Sequence, residues 1–219
     1  MIELIDIGKQ YYYGKQIVPV LQKVTLTIQN GESVCLRGPS GTGKTTLLNI
    51  MGGMLAPSSG TIQVNDQMLN ELPAHFLSTF RRTQVGFIFQ QFHLLGHLTV
   101  IENLTLPLVP SGQSIRLHHD RIAMLLTRLK IAHRLNFPVR LLSGGEQQRV
   151  AVARALVNTP KIILADEPFS NLDDANTDII ISLFRELKTA GMTFVLTTTS
   201  AAAPWENGFI DRDLAYAAQ

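Results

Sequence analysis

The sequence predicts an α/β fold: a core of parallel strands and helices, with an N-terminal antiparallel β-subdomain and an inserted α-helical subdomain. Three observations carry that prediction. The opening residues alternate apolar and polar side chains, as in "IELIDI" from Ile2 and "VTLTI" from Val24, the period of a strand with one face covered. The run "KIILADEP" from Lys161 stays apolar until it ends in two acids, as a strand buried on both faces does. It is followed by "DANTDIIISLFRELKTAG" at helical spacing and then by the strand-like "TFVLTTT". Strand, helix, strand in that order folds as a right-handed crossover between parallel strands.

Along the chain, "SVCLR" from Ser33 follows "QNGE", where Asn30-Gly31 is a strong turn signal and predicts a hairpin with the strand before it. "PSSG" from Pro57 is a turn, "TIQVN" a short strand, and "VGFIFQ" from Val85 a mostly apolar one. From Val100 to Asn158 the spacing turns helical, broken at "PLVPSGQS" from Pro107 and again near Pro138. Gly191 closes the helix that begins at Asp174.

A chain of 219 residues with 45% hydrophobic content buries a sizeable core, and residues 1–219 are expected to form one domain. Charged residues make up only 16%, below the usual quarter, so part of the surface is expected to be covered by partners. The net charge of +2, without a dense Lys/Arg run, gives no electrostatic case for nucleic acid as a ligand. "MIELIDIGKQ" mixes acids and bases with no apolar stretch, so no signal peptide is expected. No apolar run approaches the ~18 residues of a membrane span, so no intrinsic span is expected. The single Cys35 fits a reducing cytosol and a place in the core.

"GPSGTGKTT" runs through Gly38, Pro39, Ser40, Gly41, Thr42, Gly43, Lys44, Thr45 and Thr46, directly after the strand "VCLR" and before the helical "TLLNIMGG". Glycine, four residues, glycine, lysine and threonine between a strand and a helix is the pattern of a phosphate-binding loop. The glycines let backbone amides turn onto phosphate oxygens, and the helix N-terminus adds its partial positive charge. Lys44 is then expected to reach the β- and γ-phosphates of a bound nucleotide, and the Thr45 hydroxyl to ligate Mg²⁺; a loop of this kind serves kinases, GTPases and motor ATPases alike. No Asn-Lys-x-Asp guanine reader occurs, so GTP is not the expected nucleotide.

Asp166 and Glu167 leave the buried strand as neighbours. In an extended chain they point to different sides, so one can serve Mg²⁺ while the other faces an attacking water, a division that suits hydrolysis. Two acids at a solvated strand end are the plain alternative.

A second candidate anion site lies at "LLSGGEQQRVAVARAL", where Ser143 and Glu146 form a capping box. Capping does not explain Gly144 and Gly145, since glycine in the first helical turn costs up to about 1 kcal/mol relative to alanine. Bare backbone amides at a helix N-terminus do explain them. One γ-phosphate held between two such ends requires that they face each other, which two copies of the chain can arrange.

These residues carry a resemblance: the chain is similar to the nucleotide-binding subunits of ABC transporters, on "LSGGEQQRVAVARAL" followed by "IILADEPFSNLD". The resemblance implies a P-loop NTPase core of the RecA-like kind and a head-to-tail dimer. In it, Ser143, Gly144 and Gly145 of one subunit close on the ATP held by Gly38 to Thr46 of the other. It further implies Asp166 as the Walker B aspartate, Glu167 as the general base and Gln90 as the Q-loop glutamine that touches Mg²⁺. Asp173 matches the D-loop that couples the two sites, and Tyr11 the aromatic that stacks on adenine, unless the "YYY" run is only strand surface.

Length, "GFIFQQFHLL" and "TVIENLTLPL" resemble the group that includes lipoprotein-release (LolD), macrolide-export (MacB) and cell-division (FtsE) subunits. An integral membrane permease subunit is the implied partner, met by the helical subdomain over residues 92–158, with the chain peripheral on the cytoplasmic face of the inner membrane. The histidines do not form a metal set: only His93 and His97 stand at helical i, i+4 spacing, with no acid or cysteine suitably near.

Aligned with the family pattern, Thr199 stands where a switch histidine is usual, and none of the six histidines lies beyond His133. Threonine is shorter and carries no charge. Losing one such donor slows a chemical step by roughly 10²- to 10³-fold, so slow hydrolysis is expected. After Ser200 the tail "AAAPWENGFIDRDLAYAAQ" offers no recognisable last strand pair. Two functions stay open: an ATPase powering export or extraction of a lipidated or amphipathic cargo, and an ATP-gated regulatory clamp of the FtsE type. Pairing with a different, competent subunit is a third. Soluble relatives acting on ribosomes or DNA are disfavoured by a single cassette without a basic stripe.

Overall fold

The computed structural model describes residues 1–111, 118–170, 172–200 and 208–216. The strands are β1 (Ile2–Tyr13), β2 (Gln16–Ile28), β3 (Ser33–Arg37), β4 (Ser59–Val64), β5 (Gln67–Met68), β6 (Val85–Ile88), β7 (Ile162–Asp166), β8 (Thr193–Thr198) and β9 (Arg212–Ala215). The helices are α1 (Lys44–Met51), α2 (Ala74–Gln84), α3 (Val100–Thr105), α4 (His119–Arg128), α5 (Gly144–Leu156) and α6 (Asp174–Thr189). Two sheets result: an antiparallel one in the order β2-β1-β4-β5 and a parallel one in the order β6-β7-β8-β3-β9.

The parallel sheet is covered on both faces, and its residues divide accordingly. Cys35, Ile163 and Ala165 pack with Leu104, Leu125 and Val152 of the helical layer, while Val34, Leu36, Ile162 and Leu164 pack with Leu47 and Met51 of α1 and with the antiparallel sheet. Alternate residues of one strand thus serve two cores, which is why these strands read as continuous apolar runs.

Two expectations are corrected. "QNGE" is a turn, with the Glu32 amide donating to the Gln29 carbonyl at 3.1 Å, but it joins no hairpin: it carries the chain from β2 in one sheet to β3 in the other. Turn chemistry fixes a reversal and not the partner; β3, buried almost throughout, belongs in the two-faced sheet. The hairpin lies earlier, where Tyr13 pairs with Gln16 across Gly14-Lys15.

The tail also contains a strand the sequence did not reveal. β9 pairs in parallel with β3, Val34 opposite Arg212 and Arg37 opposite Ala215. Its residues are largely exposed, as suits a sheet edge, so no apolar run announces it. Phe209, just before it, is buried against Phe184 and Phe194, and Arg37 pairs with Asp213 at 2.5 Å. Trp205 and the alanines around it lie outside the described residues.

The helical stretch breaks where its prolines require. α3, capped by the Thr99–Glu102 box, runs into a 3-10 turn over Leu106–Ser111, and Pro138 precedes another over Val139–Leu141.

Candidate functional site

The loop between β3 and α1 presents its outer side, Pro39 to Gly41, to solvent and keeps Thr42 and Lys44 buried. The Thr42 hydroxyl donates to the Pro39 carbonyl at 3.0 Å. Lys44 Nζ donates to the carbonyls of Gly38 at 2.8 Å and Pro39 at 2.7 Å, which leaves its third proton for another acceptor. Gly43 must be glycine on two counts: its φ is 92°, and a Cβ there would stand 2.7 Å from Leu21 Cδ2. Among the described residues, a Cβ at Gly41 would meet nothing within 4 Å, so none of them closes the mouth of the loop. Among the described residues no side chain caps the N-terminus of α1, and its first-turn amides face that mouth. Free amides, a lysine and an open approach suit a polyphosphate.

Asp166, at the end of β7, binds the loop to the sheet. It accepts from Thr45 Oγ1 at 2.7 Å through Oδ2 and from Thr197 Oγ1 at 2.5 Å through Oδ1. A hydroxyl and a carboxylate oxygen thus meet beside the loop, the hard oxygen pair that Mg²⁺ prefers.

The expected divergence of Asp166 and Glu167 has a different origin from strand alternation. Glu167 has φ 46°, left-handed and uncommon for a residue with a Cβ. Three contacts hold it: its amide donates to Thr197 Oγ1 at 3.1 Å, and its carbonyl accepts from the amide of Ser170 at 3.1 Å and the hydroxyl of Ser170 at 2.9 Å. Its carboxylate accepts from Thr199 Oγ1 at 3.2 Å. Thr197 and Thr199, two apart, both reach the acidic pair, whereas the Thr198 hydroxyl accepts from the Ser200 amide at 3.1 Å.

Of the remaining expected residues, Gln90 and Thr46 border this cluster: β6 pairs in parallel with β7, Ile88 opposite Ala165, and Thr46 directly follows Thr45. Tyr11 lies half-buried on β1, with Lys9 Nζ 5.4 Å from its ring centroid. Gln90 is exposed in the turn after β6, and Thr46 lies half-buried in the first turn of α1. Ser143 caps α5: Oγ accepts from the Glu146 amide at 3.3 Å and the Ser143 amide donates to Glu146 Oε2 at 2.9 Å.

The two glycines of that turn differ. A Cβ on Gly144 would meet nothing within 4 Å, whereas one on Gly145 would lie 2.6 Å from Asn176 Nδ2. Gly145 is therefore required by packing, and only Gly144 has the open surroundings that both were expected to have. Asn176 is itself fixed by Asp173, the N-cap of α6, whose Oδ1 accepts from the Asn176 amide at 2.7 Å and from its Nδ2 at 2.9 Å. Arg149 donates to Asn176 Oδ1.

Sequence reasoning missed Thr197, Asn176 and Gln148, which is 2% exposed and donates to the Pro168 carbonyl at 2.7 Å. Thr197 was within reach, since strand alternation places it on the same side as Thr199. Asn176 and Gln148 depend on how α5 meets α6 and the chain after Glu167, which no local pattern encodes.

A family profile described as ABC transporter matches residues 21–170. The chain is 42% identical over 198 residues to the macrolide export ATP-binding/permease protein MacB 1 of Yersinia pestis bv. Antiqua (strain Antiqua), covering 90% of this chain and 30% of that protein. It is 43% identical over 198 residues to MacB of Bordetella avium (strain 197N), with the same coverage of 90% and 30%. The chain thus spans about 30% of the length of these relatives. Among solved structures, the dimeric ATP-binding cassette MJ0796 in a post-hydrolysis state bound to ADP and Pi shares its fold with a TM-score of 0.86 at 38% identity, over 91% of this chain and 88% of that one. Thr199, β8 and β9 lie beyond the profile match, yet the cassette likeness runs through most of the chain. Profile, relatives and cassette agree that this chain belongs to the ABC transporter family, in the group that includes the MacB ATP-binding segments.

Proposed function

We propose that this chain binds ATP with Mg²⁺ and hydrolyses it to energise export or extraction of a lipidated or amphipathic substrate through a membrane permease subunit. The observation that carries the reading is the bond chain Thr45–Asp166–Thr197–Glu167, which joins the phosphate loop to the acid expected to act on water. Lys44 turns from its two carbonyls to the β- and γ-phosphates, and Tyr11 stacks on the adenine with the face not covered by Lys9. Thr45 and Asp166 hold Mg²⁺, with Gln90 as a further ligand. When bound, the ion offsets phosphate charge. Glu167 takes the proton of the attacking water at Oε1 while Thr199 retains Oε2.

Ser143, Gly144 and Gly145 of a second copy close on the γ-phosphate, with Asp173 near the second site. The dimeric assembly of the MJ0796 cassette supports this arrangement. The permease fits the groove of about 540 Å³ lined by Met54, Phe87, Phe89, Pro107, Arg81 and Arg154. Among the described residues its lining includes three arginines and no acid, so an amphipathic segment bearing a carboxylate matches it. Among the described residues no helix is long and apolar enough to cross a membrane, and the chain sits peripherally on the cytoplasmic face of the inner membrane.

One observation favours a second reading, an ATP-gated clamp of the FtsE type. A neutral hydroxyl, not an imidazole, faces Glu167, so turnover is slow and the ATP-bound dimer persists. Light scattering of the purified chain with ATP and Mg²⁺, beside Glu167→Gln, tests both readings. A wild type already dimeric supports the clamp. A wild-type monomer beside a Glu167→Gln dimer supports brisk hydrolysis and powered transport, and monomers in both overturn ATP-driven pairing.

A further inference from the structure

Two consecutive residues after Gln90 are held in the left-handed region: Phe92 with φ 56° and His93 with φ 50°. Side chains with a Cβ avoid that region, and a pair in succession persists only where its surroundings impose it. Local contacts supply part of the restraint. The Phe92 amide donates to the Phe89 carbonyl at 3.1 Å, and the His93 ring meets the Phe89 ring edge-on with centroids 4.8 Å apart.

The remaining restraint comes from another element. Arg154, in the last turn of α5, donates from Nη2 to the Phe92 carbonyl at 2.6 Å and from Nη1 to the His93 carbonyl. One planar guanidinium therefore grips both strained residues through their backbones, a geometry that lysine cannot copy. Burial lowers the pKa of Arg154 below that of a free arginine, so its desolvated donors have strong reason to keep these acceptors. The same α5 begins at Gly144 and Gly145, about 15 Å away along its axis.

We infer that Arg154 is a positioning residue: it fixes the left-handed pair Phe92–His93, and through that pair the orientation of Gln90, and it makes α5 the element that carries the state of this loop to Ser143–Gly145. Arg154, His93 and Phe89 also line the apolar and basic groove, so an occupant of the groove that engages Arg154 loosens its hold on the loop. The inference rests on the reading of Gln90 as part of the nucleotide site, and the experiment separates the two.

Hydrogen–deuterium exchange of the purified chain reads the loop directly. Arg154→Met keeps the apolar stem and removes the donors, so the amides of Phe92 and His93 should exchange roughly tenfold faster, with β7 and β8 unchanged. Arg154→Lys should show a smaller acceleration in the same amides, and it serves where the methionine variant does not fold. ATP turnover supplies the second readout: Arg154→Met should lower kcat with little change in KM, and combined with Gln90→Ala it should be no slower than Gln90→Ala alone. Unchanged exchange in the foldable variant, or a kcat loss that multiplies with that of Gln90→Ala, overturns the inference. If Gln90→Ala leaves turnover intact while the exchange responds as stated, the grip on the loop stands and the reading of Gln90 fails.

Discussion

The hydroxyl of Thr199 donates to Oε2 of Glu167 across 3.2 Å. A side chain at the position where the resemblance leads one to expect a switch histidine is thus engaged with the acid expected to activate water. This contact stabilises the carboxylate and fixes its direction, but it cannot supply positive charge near a developing negative one.

Substitutions at Thr199 should therefore act in opposite directions. Thr199→Val removes the hydrogen bond and should lower ATP turnover about tenfold, as losing a bond to a charged group costs about 1.5–3 kcal/mol. Thr199→His should raise turnover roughly 10²-fold by adding a cationic donor. Steady-state phosphate release measures both, and equal rates in all three proteins would refute a role for this position.

Thr197 is fully buried and serves two partners, Asp166 and the Glu167 amide. Thr197→Val keeps the shape and leaves both partners short, at a cost of about 1–3 kcal/mol. In a chain of this size each kcal/mol shifts Tm by about 2–4 °C. Thermal melting should fall accordingly and turnover should fall with it; a variant as stable and active as wild type would show that the left-handed Glu167 is held by Ser170 alone.

The neighbouring glycines should separate packing from nucleotide contact. Gly145→Ala drives a Cβ into Asn176 and should lower Tm, with recovery when Asn176→Ala is added. Gly144→Ala enters open space and should hold or raise Tm, by up to about 4 °C, while weakening ATP-dependent dimer formation. Equal Tm losses for the two alanines would contradict the difference between their surroundings.

Acid should weaken the start of α5. Burial works against the charge of Glu146, but the Ser143 amide and the Arg134 guanidinium outweigh it and hold the carboxyl below its ordinary 4.5. A carboxyl lowered in the folded state contributes stability that is present above its unfolded value and lost as pH falls through the folded one. Melting curves of wild type and Glu146→Gln should therefore differ above about pH 4.5 and converge at lower pH. A gap that widens on acidification would reverse the sign and reject the assignment.

What the sequence made legible was local. The loop at Gly38–Thr46, the acids ending β7 and the box at Ser143–Glu146 are set by spacing within a few residues, and the coordinates place each where its pattern required. What it hid depended on distant partners. Asn30-Gly31 announced a reversal but not a change of sheet. β9 carried too few apolar residues to announce itself, because its strand partner covers only one edge. The kink at Glu167 follows from Thr197 and Ser170, and the need for glycine at position 145 from Asn176 on α6; neither is visible until helices and strands are packed.

The order of strands in the parallel sheet has a consequence for biosynthesis. β3, which leads into the phosphate loop, lies between β8 and β9, and its entry is tied to residues 162 and 178 positions downstream, through the Gly31 amide to Thr193 and the Ser33 amide to Asp211. At about 5–20 residues per second, a ribosome needs roughly ten to thirty seconds to supply those neighbours. During that interval β3 has both edges unpaired and several of its side chains uncovered, which is when a nascent chain is most open to misassociation. Nucleotide binding therefore arrives late in the life of the nascent chain, once β8 and β9 have clasped the strand that carries the loop.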